Sequence, residues 1–128
     1  MKEKILSYLL DEGYRPAIDE DGDVAFKVEG VSMYFSLSED DPGFVRLILP
    51  NFWRVDDLQE YERSLRVANK LNSTYKAGKI FIHNNYLIST VELFVYSTDK
   101  IEEILVRIIS ILRRMTYEFA ELMQRENS

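Results

Sequence analysis

Val31 to Ser38 alternate without a break, with Val31, Met33, Phe35 and Leu37 on one phase and Ser32, Tyr34, Ser36 and Ser38 on the other. A period of two puts the apolar set on one side of a pleated strand and the polar set on the opposite side. Such a strand is buried on one face, which points to an antiparallel sheet, because parallel strands are covered on both faces and carry continuous apolar runs. The fold must therefore supply strand neighbours and a layer to cover the apolar side.

The neighbours are legible on either side. Asp23 to Glu29 alternates in the same way, and Glu29-Gly30 is a hairpin turn signal into Val31. Upstream, Asp21-Gly22 turns the chain back onto a short strand from Tyr14 to Asp19. Downstream, the acidic loop Glu39-Asp40-Asp41-Pro42-Gly43 leads to a strand from Phe44 to Leu49 that Pro50 is expected to close. A second hairpin turns at Asn84-Asn85, joining Lys79 to His83 with Tyr86 to Tyr96, where Leu87, Val91, Leu93 and Val95 are in phase.

Three segments of helical period supply the cover. Lys2 to Glu12 carries Ile5, Leu6, Leu9 and Leu10 and stops at Gly13. A second helix starts near Asp56 or Asp57, with Asp57 and Glu60 at capping-box spacing, and runs to about Asn72 with an apolar stripe of Leu58, Tyr61, Leu65, Ala68 and Leu71. The third, capped by Thr98 or Asp99, reaches about Arg125; Ile101, Ile104, Leu105, Ile108, Leu112, Met115, Phe119 and Leu122 repeat along it at helical spacing. At about 1.5 Å per residue it spans roughly 40 Å, and its distal end is expected to project or to meet a partner. The order α-β-β-β-β-α-β-β-α, without repeat or linker, predicts a single α+β domain over residues 1–128, one antiparallel sheet with helices on one face.

Composition removes several classes of function. A net charge of −6 and a pI near 4.8 leave no positive field for nucleic acid or anionic lipid. Charged residues interrupt every apolar stretch before the ~20 residues a membrane span needs, and Ile5 to Leu10 is too short an apolar run for a secretory signal. The chain has no cysteine, which excludes disulfides, thiolate nucleophiles and Cys-bearing zinc sites and points to a cytoplasmic setting. Its one histidine, His83, sits beside a turn on the phase opposite Ile80 and Ile82 and is expected to be exposed. The stretch Asp19-Glu20-Asp21-Gly22-Asp23 lacks the glycine position and terminal glutamate of a calcium loop and is expected to be a solvated turn. No glycine spacing suits a phosphate cradle, and Arg63, Arg66, Lys70, Lys76 and Lys79 are expected on a solvated surface. No catalytic residue, metal ligand or cofactor site is assigned; an enzyme built on carboxylates alone is the weakest alternative.

The remaining signal is aromatic. Among 8 Tyr and 7 Phe, Tyr34, Phe81, Phe94 and Tyr96 fall on the strand phase opposite the core, and Phe52-Trp53 lies in the connection after Pro50. These six are the candidate protein-binding residues, open to an apolar peptide or to a second copy of the chain.

With the order of elements, Val67-Ala68-Asn69-Lys70-Leu71-Asn72, then Lys76-Ala77-Gly78-Lys79-Ile80, then a hairpin carrying Glu92, resembles the YbjN-like family, which is similar in fold to type III secretion chaperones. Asn69, Asn72 and Gly78 are the matching positions. The resemblance implies a small acidic protein, often a homodimer, that binds extended segments of a partner and performs no covalent chemistry. The leading expectation is a chaperone-like module that holds a protein or peptide client by apolar pockets and strand-edge pairing. The alternative is a homodimeric adaptor or regulatory protein whose apolar surface is buried between subunits.

Overall fold

A computed structural model describes the backbone of residues 1–126 and the side chains of residues 1–125. The elements follow the expected order: α1 (Lys2–Asp11), β1 (Ala17–Ile18), β2 (Val24–Val28), β3 (Val31–Ser38), β4 (Asp41–Arg54), α2 (Leu58–Thr74), β5 (Gly78–His83), β6 (Tyr86–Phe94) and α3 (Ile101–Glu126). The strands form one antiparallel sheet in the order β1-β2-β3-β4-β6-β5, open at both edges of the order. The architecture is α+β, with the helices packed on one face of the sheet.

The turns are set by residues that tolerate left-handed backbone. Glu29 and Gly30 have φ of 50° and 82°, and Asn84 and Asn85 have φ of 50° and 65°, the mirror-image turns that match the twist of a tight hairpin. In the β1–β2 turn the Asp19 carboxylate accepts the backbone N–H of Asp21 and of Asp23, both at 2.9 Å. β1 is shorter than the sequence suggests, because Arg15 adopts φ 52° and Pro16 follows it, so pairing starts only at Ala17.

β4 differs most from expectation. It begins at Asp41, directly after a turn at Glu39-Asp40, and continues through Pro50 to Arg54. Against β6, Leu49 pairs with Ser89 but Trp53 pairs with Leu87, so β4 carries two extra residues over this stretch, with Asn51 at φ 48°. Proline has no N–H to donate, and the bulge is where none is required. The bulge also turns two successive side chains inward. Phe52 and Trp53 both meet Phe119 of α3, at centroid separations of 5.3 and 5.8 Å and interplanar angles of 87° and 73°.

Two apolar clusters lie under α3. The first joins Ile5 and Leu9 of α1, the inward residues of β2, β3 and β4, and Leu105, Ile108 and Leu112. The second joins Val67, Ala68 and Leu71 of α2, Ile80, Leu87, Met115, Phe119 and Met123. The distal end of α3 therefore does not project: Phe119 and Met123 are fully buried within the chain. α3 is 26 residues long because it covers both clusters.

α2 is capped as its sequence predicts, with the Asp57 carboxylate accepting the Glu60 N–H at 2.8 Å. Its buried stripe is rotated from the expected one. Ser64, Val67, Ala68 and Leu71 face inward, while Leu58 and Leu65 are exposed. A serine fits inside because its hydroxyl is satisfied locally, donating to the Tyr61 carbonyl at 2.7 Å. α3 starts at Ile101, later than a cap at Thr98 or Asp99 implies, and the Thr98 hydroxyl instead accepts from Lys4 Nζ of α1 at 2.7 Å.

Candidate aromatic binding face

The uncovered face of the sheet is a ladder of cross-strand rows. At one corner Phe44 of β4 pairs with Phe94 of β6, their centroids 5.4 Å apart, and Tyr96 stacks on Phe94 at 6.1 Å and 5°. The Tyr96 ring lies over Gly43, where an added Cβ would come within 2.5 Å of Tyr96 Cε1. The next row is Ser36, Arg46 and Glu92, and the next is Ala25, Tyr34, Ile48, Thr90 and Lys79. Phe81 and Ile88 form a further pair towards the Asn84-Asn85 turn.

The aromatic corner is the most exposed part of this face. Phe94 is 61% and Tyr96 84% exposed, against 39% for Phe81. Tyr34 is half-buried, beside a depression of about 400 Å³ next to Tyr14 and Arg15. Desolvation, with Asp23 and Asp19 next, raises the Tyr34 phenol above its ordinary value and keeps it neutral.

An ion-paired row borders the corner. Arg46 Nε donates to Glu92 Oε1 at 2.8 Å, Lys79 Nζ lies 3.0 Å from Glu92 Oε2, and the Arg46 guanidinium sits 5.2 Å from the Phe44 ring centroid. Burial acts to raise the Glu92 carboxyl, but the hydrogen bonds and charges of Lys79 and Arg46 outweigh it and hold the group below its ordinary value of 4.5. A carboxyl lowered in the folded state contributes stability above its unfolded value, and that contribution is lost as pH falls through the folded value. Glu92→Gln is expected to cost about 1–2 kcal/mol at pH 7, and the difference from the wild type is expected to vanish as the pH drops below 4.5. Denaturant unfolding of both proteins across that range checks this; a constant difference at all pH values would contradict it.

The structure separates the six candidate residues. Phe94 and Tyr96 share a corner, whereas Tyr34 on β3 and Phe81 on β5 lie apart across the intervening strands β4 and β6. Phe52 and Trp53 are not in an exposed connection: they are half-buried on the helix face, where Trp53 Nε1 also donates to Glu60 Oε1 at 3.0 Å. The residue missed from sequence is Phe44, whose phase opposite Val45, Leu47 and Leu49 carried the signal. His83 is exposed, its Nε2 3.2 Å from Asn84 Nδ2. The Asp19, Asp21 and Asp23 carboxylates lie together in the exposed turn described above, where Asp19 is already an acceptor for backbone.

The sheet edges are occupied in part. At β5, Asn72 of α2 takes both backbone groups of Ile80: its Oδ1 accepts the Ile80 N–H at 2.7 Å and its Nδ2 donates to the Ile80 carbonyl at 3.0 Å. The amide thus stands in for a neighbouring strand. Gly78 admits close packing nearby, since a Cβ there would clash with Met115 Sδ. At the other edge β1 covers only Val24 and Ala25 of β2, and among the described residues Phe26 to Val28 have no strand beyond them.

These two roles, Asn72 capping Ile80 and Gly78 seating α3, bear on two of the three positions that carry the family resemblance. Residues 3–126 match the family of T3SS (YopN, CesT) and YbjN peptide-binding chaperone 1, TY-Chap1. The chain belongs to this family. TY-Chap1 is described as a peptide-binding chaperone, which gives this chain a chaperone-like, protein-binding class. Among solved structures, an uncharacterized protein from Methanothermobacter thermautotrophicus superposes with a TM-score of 0.72 at 15% identity, covering 98% of this chain and 97% of that one. At that identity the likeness establishes the fold alone. No curated protein matches the chain. Among the described residues no helix is long and apolar enough to cross a membrane.

Proposed function

We propose that the chain acts as one chaperone-like domain that holds a segment of a client protein across the open face of its sheet, without covalent chemistry. The observation that carries this reading is the uncovered corner of Phe44, Phe94 and Tyr96. Aromatic rings bring large apolar area at low conformational cost, and a stacked cluster beside a fixed ion pair suits apolar side chains flanked by polar backbone. The Arg46-Glu92-Lys79 group is a rim in which two cations share one carboxylate, so it keeps a net positive charge beside the rings. The Asn72 amide on Ile80 favours capture across the face over addition of a strand along β5.

The test is titration of fluorescent apolar peptides against the wild type and the double variant Phe94→Ala/Tyr96→Ala. The variant is expected to bind at least about tenfold more weakly, with a melting temperature close to that of the wild type, because both side chains are mostly exposed. An equal fall in stability and binding would make the two rings structural and overturn the reading. A dimer in sedimentation that the double variant converts to monomer, with no peptide bound by either protein, would favour the homodimeric adaptor instead.

A further inference from the structure

The aromatic corner carries unlike charge on its two sides. Leu37 pairs with Val45 but Ser38 pairs with Asp41, so Pro42, Gly43 and Phe44 bulge out of the β3–β4 register and the turn Glu39-Asp40-Asp41 is folded back beside Phe44. The Val95 N–H donates to the Gly43 carbonyl at 2.6 Å, which lays Tyr96 over the same bulge. All three acidic residues of the turn are exposed, and none of them makes an ion pair among the described residues. On the other side, two residues along β4 from Phe44, Arg46 and Lys79 converge on Glu92 alone. Two cations against one carboxylate leave that side positive. Asp19 and Asp23 belong to the β1–β2 turn, on the far side of β3 from Arg46.

We infer that the corner selects a client segment whose apolar anchor has a carboxylate on one flank and a Lys or Arg on the other. The inference rests on the client-holding role proposed above and names the chemistry of the client. Alternate residues of an extended segment lie about 6.8 Å apart, the spacing of successive rows along a strand. An anchor seated on Phe94 and Tyr96 therefore places side chains two positions away over the cationic rim in one direction and over the acidic turn in the other. Arg46 donates to Glu92 through Nε, and its guanidinium and the Lys79 ammonium have further N–H groups to offer a guest carboxylate. The guest cation meets the Asp40 and Asp41 carboxylates and the Tyr96 ring, which is open to a cation over its face. The net charge of −6 would by itself favour a uniformly basic guest, and the rim of Arg46 and Lys79 is what counts against one.

Three flexible, fluorescently labelled peptides test it. They share one phenylalanine anchor and differ two positions to either side: aspartate and lysine, two aspartates, or two lysines. At low salt the bipolar peptide is expected to bind about fivefold more tightly than either of the others, with the advantage fading as about 1 M salt shortens the screening length to ~3 Å. Asp40→Lys/Asp41→Lys, at exposed positions, is expected to make the doubly acidic peptide the tightest. Lys79→Gln leaves Arg46 and Glu92 as a neutral pair and is expected to remove the advantage over the doubly basic peptide. Equal affinity for the three peptides at low salt, or an order that neither variant changes, overturns the inference. If all three bind alike and are lost with Phe94→Ala/Tyr96→Ala, the inference falls and the proposed function stands; if none binds, both fall. Self-association abolished by Asp40→Lys/Asp41→Lys, with no peptide bound, gives the corner to a second copy of the chain and also overturns it.

Discussion

Ile108→Asp is expected to leave the chain without a cooperative unfolding transition. Ile108 is 3% exposed and sits in the first cluster, between the proximal part of α3 and the sheet. The substitution removes a buried aliphatic side chain, worth about 2–5 kcal/mol by analogy with truncation in a core, and adds an unpaired carboxylate whose burial costs several more. Together these approach the whole of a typical domain's ~5–15 kcal/mol. Loss of the helical circular dichroism signal, or its retention with no sigmoidal urea transition, meets the expectation; a normal transition refutes it. Leu93→Asp looks equivalent in sequence, because Leu93 is in phase with Val91 and Val95. The structure sets it apart: Leu93 is only half-buried, so its carboxylate can reach water and the cost is expected to be smaller.

Phe119→Ala is expected to cost about 3–5 kcal/mol. Phe119 is fully buried and meets two rings edge-on, Phe52 and Trp53, which no other residue near it replaces. The effect should register twice. The midpoint of chemical denaturation falls, and the emission of the single tryptophan, Trp53, moves to longer wavelength as water reaches the vacated space. A loss below about 1 kcal/mol with unchanged emission would mean that the distal half of α3 contributes little to the core.

Both substitutions bear on what was legible in the sequence. The period-two pattern of β3, the paired turn residues at Glu29-Gly30 and Asn84-Asn85, and the order of elements were all available from local patterns, since each depends only on residues a few positions apart. The path of β4 was not. Whether Pro50 ends a strand or sits in a bulge depends on where β6 resumes pairing, and that information lies some 35 residues downstream, at Leu87. The same bulge accounts for Phe52 and Trp53: a strand expected to close at Pro50 leaves them in a connection, whereas the continued strand turns both onto the helix face. The stripe of α2 slipped for a different reason: hydropathy favours Leu58 and Leu65 over Ser64, whereas the close approach of α2 to its neighbours favours a small side chain with a satisfied hydroxyl. Of the aromatic corner, phase alone picked out Phe94 and Tyr96 and would equally have given Phe44.

The closure of Ile80 by Asn72 bears on how crowded a solution the protein tolerates. A wide sheet with a sticky face grows into fibrils by recruiting strands laterally, and an unsatisfied edge is what seeds that growth. Here the blocking amide comes from only eight residues upstream, so every copy occupies the centre of its own β5 edge without help from another molecule. An aromatic surface kept ready for guests thereby sits beside an edge whose middle is already occupied, which lowers the risk that abundance brings aggregation.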